Sequence, residues 1–171
     1  MDVSLEKQTN NISNYGGFWS RFGAYMIDSI ILSIPIGMIN LTIFIFSLDS
    51  TGILDEFFYY ERYLTTAEQE IIFFAMWKGI LFCAINSILI TWLYYAVSHS
   101  SKWQATIGKK IVGLKVTDLN GDRISFWRAT GRCFSKMFLS GFLLIGYMIA
   151  AMTDKKQALH DLIARTIVLQ N

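Results

Sequence analysis

Residues 15–40, YGGFWSRFGAYMIDSIILSIPIGMIN, decide the fold. They form an apolar run with an arginine, Arg21, near its start and a carboxylate, Asp28, two helical turns further in. Because seven residues cover about 700° of helix, Arg21, Asp28 and Pro35 lie on one face. A charge at such a depth in a membrane helix costs about 2.5–3.5 kcal/mol on insertion scales, which makes Asp28 a functional-site candidate.

The composition also indicates a membrane protein. Of 171 residues, 53% are hydrophobic and 16% are charged, a more apolar balance than that of an ordinary soluble domain. Cys83 and Cys133 lack metal-ligand spacing, so we expect two buried structural thiols rather than a disulfide. We expect no metal, no cofactor and no nucleic-acid partner; the expected partner is the lipid bilayer.

Two apolar runs are long enough to cross a hydrocarbon core of about 30 Å. They cover residues 22–46 and 71–97. In the first run, Pro35 removes a backbone donor and predicts a helix kink. Alternatively Pro35 only shapes helix packing, since membrane helices tolerate proline.

Charge is segregated along the chain, and this predicts the topology. The connection at 47–70 carries six acidic residues against Arg62, whereas the segment at 98–136 carries eight basic residues against two aspartates. The positive-inside rule therefore assigns 98–136 and the polar lead at 1–14 to the cytoplasm, and the acidic loop to the outer side. We expect a multi-pass protein of the cell membrane with a cytoplasmic N-terminus.

Helix rise predicts which polar side chains meet inside the membrane. If the two helices are antiparallel, a rise of about 1.5 Å per residue brings Asn86 near the depth of Asp28. Asn86 is therefore the predicted neighbour of Asp28 on the facing helix. Lys78 is expected near the outer side, where its stem can reach the headgroups.

Strands are expected in only one region. Leu114, Val116 and Asp118 alternate before an Asn120–Gly121 turn, which predicts a small cytoplasmic β-hairpin. The β-prone residues 166–169 offer a second possible partner for residues 114–118, provided that both lie on one side of the membrane.

The uncharged stretch at 137–153 is at the short limit for a membrane span. It is either a third spanning helix or a broken, re-entrant element that returns to the cytoplasmic side, and the strand pairing of the tail at 154–171 favours the second. The expected fold is thus an all-α integral membrane protein, with residues 15–171 as a single membrane domain.

Three clusters could carry chemistry: Arg21 with Asp28, a glycine- and lysine-rich motif, and a C-terminal motif. Within the membrane a carboxylate can bind a dehydrated cation or carry a proton, and Arg21 would orient it. The alternative is a buried Arg–Asp or Asp–Asn contact that only fixes helix register. The second motif contains Thr106, Gly108, Lys109, Gly113, Asp118 and Gly121, and the third contains Asp154, Gln157, His160 and Asp161.

Neither motif matches a known catalytic or ligand-binding signature. A phosphate loop would need a glycine five residues before Gly108 and Ser or Thr at Lys110, so contact with anionic lipid headgroups is the better interpretation. The single pair His160–Asp161 is a weak metal signal. No nucleophile–base motif is visible, and we expect that the protein is not an enzyme.

Together the three clusters resemble the RDD membrane proteins, named for one arginine and two aspartates. The resemblance lies in GFWSRFGAYMIDSIIL, QATIGKKIVGLKVTDLNGDRISFWRATGR and DKKQALHDLIARTIVL. It implies that Arg21 is the family arginine, that Asp28 is the first aspartate, and that Asp161 is the second, with Asp154 and Asp118 as alternatives. Asp161 is therefore a second candidate partner for Arg21, besides Asp28.

The resemblance also implies a small helical membrane protein described as a transporter, with some relatives linked to sodium–proton exchange. The expected function is transport of monovalent cations or protons. Because two or three spans are few for alternating access, a homo-oligomer would supply the missing half. The alternative is a non-catalytic membrane module that binds a partner protein or anionic lipid through its basic cytoplasmic face.

Overall fold

The computed structural model describes residues 15–53, 55, 59, 63–140 and 156–170. The polar lead at 1–14, Asp154 and most of the apolar stretch at 137–153 lie outside the described residues, and so does the choice between a third span and a re-entrant element. The chain divides into two compact units, Met1–Ile30 with Trp92–Asn171, and Ile31–Thr91. We call them the first and the second unit.

Two long helices dominate the fold, α1 at Phe18–Asp49 and α2 at Thr66–Ser100. Both are long and apolar enough to cross a membrane. Large apolar side chains such as Ile34 and Phe74 are mostly exposed along them, as expected for contact with lipid. The protein is therefore mainly helical, as the sequence predicted.

Both helices are longer than the apolar runs at 22–46 and 71–97, because residues that flank these runs are also helical. At the start of α2, Glu68 Oε2 accepts the backbone N–H of Thr65 at 2.8 Å, and Thr65 Oγ1 accepts that of Glu68 at 3.4 Å. This capping box satisfies backbone donors before the apolar run begins. Pro35 lies inside α1, which is helical on both sides of it, and the predicted kink stays a prediction.

Polar side chains join the two helices within the second unit. Asn86 Nδ2 donates to Asn40 Oδ1 at 2.8 Å, and Asn40 Nδ2 donates to Ser87 Oγ at 2.8 Å. Nearer the other end, Ser47 Oγ donates to the carbonyl of Ala75 at 2.7 Å. These hydrogen bonds fix the helix register without a buried charge.

The first unit contains a small antiparallel sheet of β1 at Leu114–Asp118 and β2 at Thr166–Gln170. Leu114 lies opposite Gln170 and Asp118 lies opposite Thr166. The pairing of residues 114–118 with the C-terminal tail, which the sequence analysis gave as the second possibility, is confirmed. The predicted hairpin with the residues after Asn120–Gly121 is wrong.

The turn at Asn120–Gly121 explains why the predicted hairpin does not form. Asp118 Oδ1 accepts the backbone N–H groups of Asn120 at 2.9 Å and Asp122 at 2.8 Å, which closes a tight loop around Gly121. Three residues later Ser125 caps a new helix by accepting the N–H of Arg128. The chain therefore enters a helix where the hairpin would need a strand.

Three short helices complete the described part of the first unit: α3 at Ile107–Ile111, α4 at Phe126–Ser135 and α5 at Leu159–Ile163. A π-helical turn at Lys136–Ser140 follows α4 directly. The core packs the sheet against α1 and α4 and consists of Ala24, Leu114, Val116, Ile124, Ala129 and Val168. Cys83 and Cys133 are free, partly buried thiols.

The pairing of β1 with β2 predicts the side of the membrane on which the tail lies. In a variant without native cysteines, Lys110→Cys and Gln170→Cys should react with an impermeant maleimide from the same side, because both exposed residues belong to the first unit. The positive-inside rule predicts that this side is the cytoplasmic one. Labelling from opposite sides would contradict the pairing in the membrane.

Candidate functional site

Charged and polar side chains from five helices converge in the first unit. We call this set the polar cluster. Its charged and titratable members are Arg21, Asp28, His99, Lys109, Arg132, Lys136, His160 and Asp161.

Asp161 is the centre of one half of the polar cluster and is completely buried. Arg21 Nη1 donates to its Oδ2, while Arg132 Nε donates to its Oδ1 at 2.9 Å and Arg132 Nη2 donates to the same oxygen. Burial alone would raise the pKa of Asp161, but the guanidinium groups of Arg132 and Arg21 outweigh it and hold that pKa well below its usual range. The ionised carboxylate thus joins α1, α4 and α5.

Arg21 also fastens two loop segments. Its Nε donates to the carbonyl of Gly16 at 2.9 Å, and its Nη2 donates to that of Lys156 at 2.7 Å. Lys156 has a φ of 47°, a left-handed conformation that is uncommon for a lysine. Arg21 therefore ties the entry to α1 and the loop before α5 to one buried carboxylate.

The sequence predicted Asp161 as a partner of Arg21 but missed Arg132. The available signal was the four-residue spacing of Arg128, Arg132 and Lys136, which places them on one helix face. That spacing does not say which of the three is buried. In the structure Arg132 is 4% exposed, whereas Arg128 lies at the surface, 3.8 Å from Asp118.

Asp28 is held by a second set of donors. Its Oδ1 accepts Tyr94 OH at 2.6 Å and Gly108 N at 2.7 Å, and its Oδ2 accepts Thr106 Oγ1 at 2.6 Å. The side chain is 1% exposed. Among the described residues no cation forms an ion pair with it, so hydrogen bonds alone stabilise this carboxylate.

Two expected neighbours of Asp28 therefore lie elsewhere. Arg21 is on the same helix face as Asp28, but the two residues are separated by roughly 10 Å along the helix axis. The guanidinium group of Arg21 instead contacts Asp161. Asn86 bonds to Asn40 in the second unit. Asp28 meets Tyr94, about two helical turns further along α2 than the register that the sequence assumed.

The glycine- and lysine-rich motif binds the chain's own carboxylate. Thr106 caps α3 and donates to Asp28, while Gly108 brings its backbone N–H to the same group. A Cβ on Gly108 would lie 2.2 Å from the carbonyl oxygen of Ala24, so only glycine allows this close approach. Sequence reasoning identified both residues but not their partner.

Lysine and histidine side chains line the space between the two carboxylates. Lys109 Nζ lies 2.9 Å from His99 Nε2, and Arg132 Nη1 lies 3.5 Å from His99 Nδ1. A neutral imidazole accepts at only one nitrogen, so the tautomer of His99 decides whether the acceptor faces Lys109 or Arg132. Burial lowers the pKa of Lys109 well below its usual value, with repulsion from Arg132 and Lys136 adding to it.

Lys136 and His160 complete the polar cluster. Burial, followed by repulsion from Arg132, lowers the pKa of Lys136 to about 8. The Lys136 ammonium lies 4.6 Å from the ring centre of Tyr25 and 4.7 Å from that of Tyr95, in cation–π geometry. Burial lowers the pKa of His160 to about 3, so this histidine is neutral at physiological pH.

The other predicted motif residues support the local structure. Gly113 has a φ of 75° between α3 and β1, and Gly121 has a φ of 91° in the turn after β1. Gln157 Nε2 donates to the carbonyl of Thr166 at 2.8 Å, which fastens the tail before β2. Asp154 lies outside the described residues.

Fold and site together define a helical membrane protein with a buried network of charged side chains. The chain belongs to the RDD family, whose family model matches residues 15–165. Arg21 contacts Asp161, and Asp161 as the second family aspartate stays a prediction.

Three relatives from Bacillus subtilis (strain 168) are similar over nearly the whole chain. An uncharacterized protein, YxaI, is 35% identical, covering 90% of this chain and 95% of its own. An uncharacterized membrane protein, YteJ, is 25% identical over 91% of this chain and 80% of its own. An uncharacterized protein, YckC, is 27% identical over 92% and 86%. No solved structure matches.

Removing the buried carboxylate should strongly destabilise the protein. Asp161→Asn leaves Arg21 and Arg132 without their counter-ion, and we expect a loss of about 3–5 kcal/mol. Asp118→Asn is the matched control, since its ion pair is at the surface and is worth about 0–1 kcal/mol. Thermal unfolding in detergent measures both; equal stability of the two variants would contradict the central role of Asp161.

The close approach of α3 to α1 gives a second prediction. Gly108→Ala should lower the unfolding temperature because its Cβ meets the backbone oxygen of Ala24. Gly131→Ala in α4 is the control: a Cβ there meets no atom within 4 Å, and alanine should gain about 0.5–1 kcal/mol of helix propensity. An unaffected Gly108→Ala would show that this contact does not form.

The low pKa of His160 predicts acid destabilisation. The unfolded histidine takes up a proton near pH 6.5, whereas the folded one does so only near pH 3. The free energy of unfolding should therefore fall as the pH falls through this window, by up to about 1.4 kcal/mol per pH unit. His160→Gln should flatten the profile, and an unchanged profile would assign the proton uptake to other groups.

Proposed function

We propose that this protein is a small membrane transporter that exchanges a monovalent cation for protons, with Asp28 as the cation-binding carboxylate. The observation that carries the proposal is the environment of Asp28. It is a buried carboxylate in an apolar helix, held by hydrogen bonds and with no ion-pair partner among the described residues. An intramembrane carboxylate of this kind is a functional candidate by default.

The donors around Asp28 are suited to reversible cation binding. The hydroxyls of Tyr94 and Thr106 donate to the carboxylate, but a hydroxyl can rotate and offer its lone pairs instead. The three side chains would then provide oxygen ligands, which hard cations prefer. Without a cation, the same hydroxyls and Gly108 N–H stabilise the ionised carboxylate.

Lys109 is the group proposed to couple cations to protons. It follows Gly108 directly and lines the same cavity as Asp28. Its pKa is low because it is buried near other cations. A cation at Asp28 would lower that pKa further, so cation entry would favour release of the Lys109 proton, as exchange requires.

The transporter would work without catalytic chemistry, in the cell membrane, with its N-terminus and basic segment facing the cytoplasm. A homo-oligomer would supply the second half of an alternating-access machine.

Neutralising Asp28 tests the proposal. Asp28→Asn keeps the shape of the side chain and removes its charge, and sodium- or potassium-driven proton flux in proteoliposomes should fall by at least about tenfold. Asp49→Asn, on the exposed end of the same helix, should keep wild-type flux. Wild-type flux in a folded Asp28→Asn variant would remove Asp28 from the mechanism.

A second candidate function is a membrane module that binds anionic lipid through its basic face. Trp103 is 61% exposed, and Lys110 Nζ lies 3.8 Å from its ring centre. Exposed Trp127 and Ile111 add apolar surface in the same unit. Lysine and tryptophan together are typical of headgroup contact.

Lipid dependence of stability distinguishes this candidate. Anionic phosphatidylglycerol should raise the unfolding temperature over phosphatidylcholine, and Lys102→Gln with Lys110→Gln should abolish the difference. The same thermal shift in the double variant would argue against lipid recognition by this face. If a partner protein is bound instead, it should co-purify in stoichiometric amounts.

A further inference from the structure

The polar cluster contains more positive than negative charge. Among the described residues, Arg21, Lys109, Arg132 and Lys136 face Asp28 and Asp161. With both lysines protonated and both histidines neutral, this leaves an excess of two positive charges. Buried charge without compensation is costly, and proteins normally pair it with a counter-ion.

The excess charge belongs to the two lysines. Both oxygens of Asp161 accept hydrogen bonds from arginines, and Asp28 is held by neutral donors. Lys109 contacts the ring of His99, and Lys136 lies over two tyrosine rings. Within the described part of the chain, neither lysine forms an ion pair with a carboxylate.

Both lysines line one cavity of about 40 Å³, together with Arg132. This volume is the space open to the centre of a water-sized sphere, and one water molecule needs roughly 10–15 Å³ of it. The cavity therefore has room for about three waters, or for one small ion with a water. The Arg132 Nη1 atom is 3.5 Å from His99, a weak contact that leaves this N–H group able to donate elsewhere.

From this arrangement we infer that the polar cluster binds a small inorganic anion of halide size between Lys109, Lys136 and Arg132. The two ammonium groups and the guanidinium would donate to the anion, which would neutralise half of the excess charge.

The anion site goes beyond the proposed transport function and does not depend on it. A bound anion would reduce the repulsion that a cation meets on its way to Asp28, so the two sites could act together. Anion binding is measured on the detergent-purified protein without flux, and its outcome is therefore separate from that of the transport test.

Thermal unfolding in different sodium salts tests the inference. Sodium gluconate is replaced stepwise by chloride or bromide at constant ionic strength and pH 7. We expect a saturable rise in unfolding temperature of about 5–10 °C once the halide reaches roughly 100 times its Kd. Sulfate and phosphate stabilise folded proteins in general, so only a saturable rise in unfolding temperature counts as binding.

Two lysine variants provide the matched comparison. Lys136→Gln should weaken the halide response by at least about tenfold, because it removes a partly buried charged donor that lines the cavity. Lys110→Gln, an exposed lysine on α3, should respond as the wild type does. An unchanged halide response in Lys136→Gln, or a response to sulfate or phosphate alone, would overturn the proposal.

A measurement on the unaltered protein covers the case in which Lys136→Gln does not fold. The chloride-35 NMR signal should broaden when the protein is added, and bromide should reverse the broadening by displacement. Equal line widths with the protein and with a detergent blank, together with equal unfolding temperatures in gluconate and chloride, would exclude the site.

Discussion

The first unit depends on one buried carboxylate, Asp161. Its two oxygens bind Arg21 from the beginning of the chain and Arg132 from α4, while its own helix lies near the end of the chain. In a low-dielectric interior such a group is stable only when its charge and its lone pairs are both satisfied. The positions of α1, α4 and α5 are therefore linked through Asp161.

Asp28 meets the same constraint differently. It is equally inaccessible, but its partners are two hydroxyls and a backbone N–H. Guanidinium groups would fix an aspartate permanently, whereas hydroxyls can reverse their hydrogen-bonding role. This difference is the basis for the roles proposed above, in which Asp161 organises the unit and Asp28 is the proposed cation ligand.

Hydropathy alone predicted both long helices, and helix spacing identified Arg21 and Asp28. The sequence predicted the contact between Arg21 and Asp161 only as one of several possible partners for Arg21. Tyr94, Arg132 and the register of α2 could not be found, because a periodic pattern tells which residues share a helix face but not which faces meet. The Asn120–Gly121 turn was also recognised, although the helix that begins after Ser125 took the place of its second strand.

The order of these contacts along the chain has a consequence for biogenesis. Arg21 and Asp161 are 140 residues apart. The pairing partner of β1 is the strand Thr166–Gln170, which is synthesised about 50 residues later. While the ribosome is still making the tail, the arginines and the edge of β1 have no native partner. Closure of the first unit must therefore come after residues 161–170 have been synthesised, and long-range closure of this kind is slow. Until residues 161–170 are present, the chain exposes charged groups and an unpaired strand edge, which are features that make folding intermediates prone to aggregation.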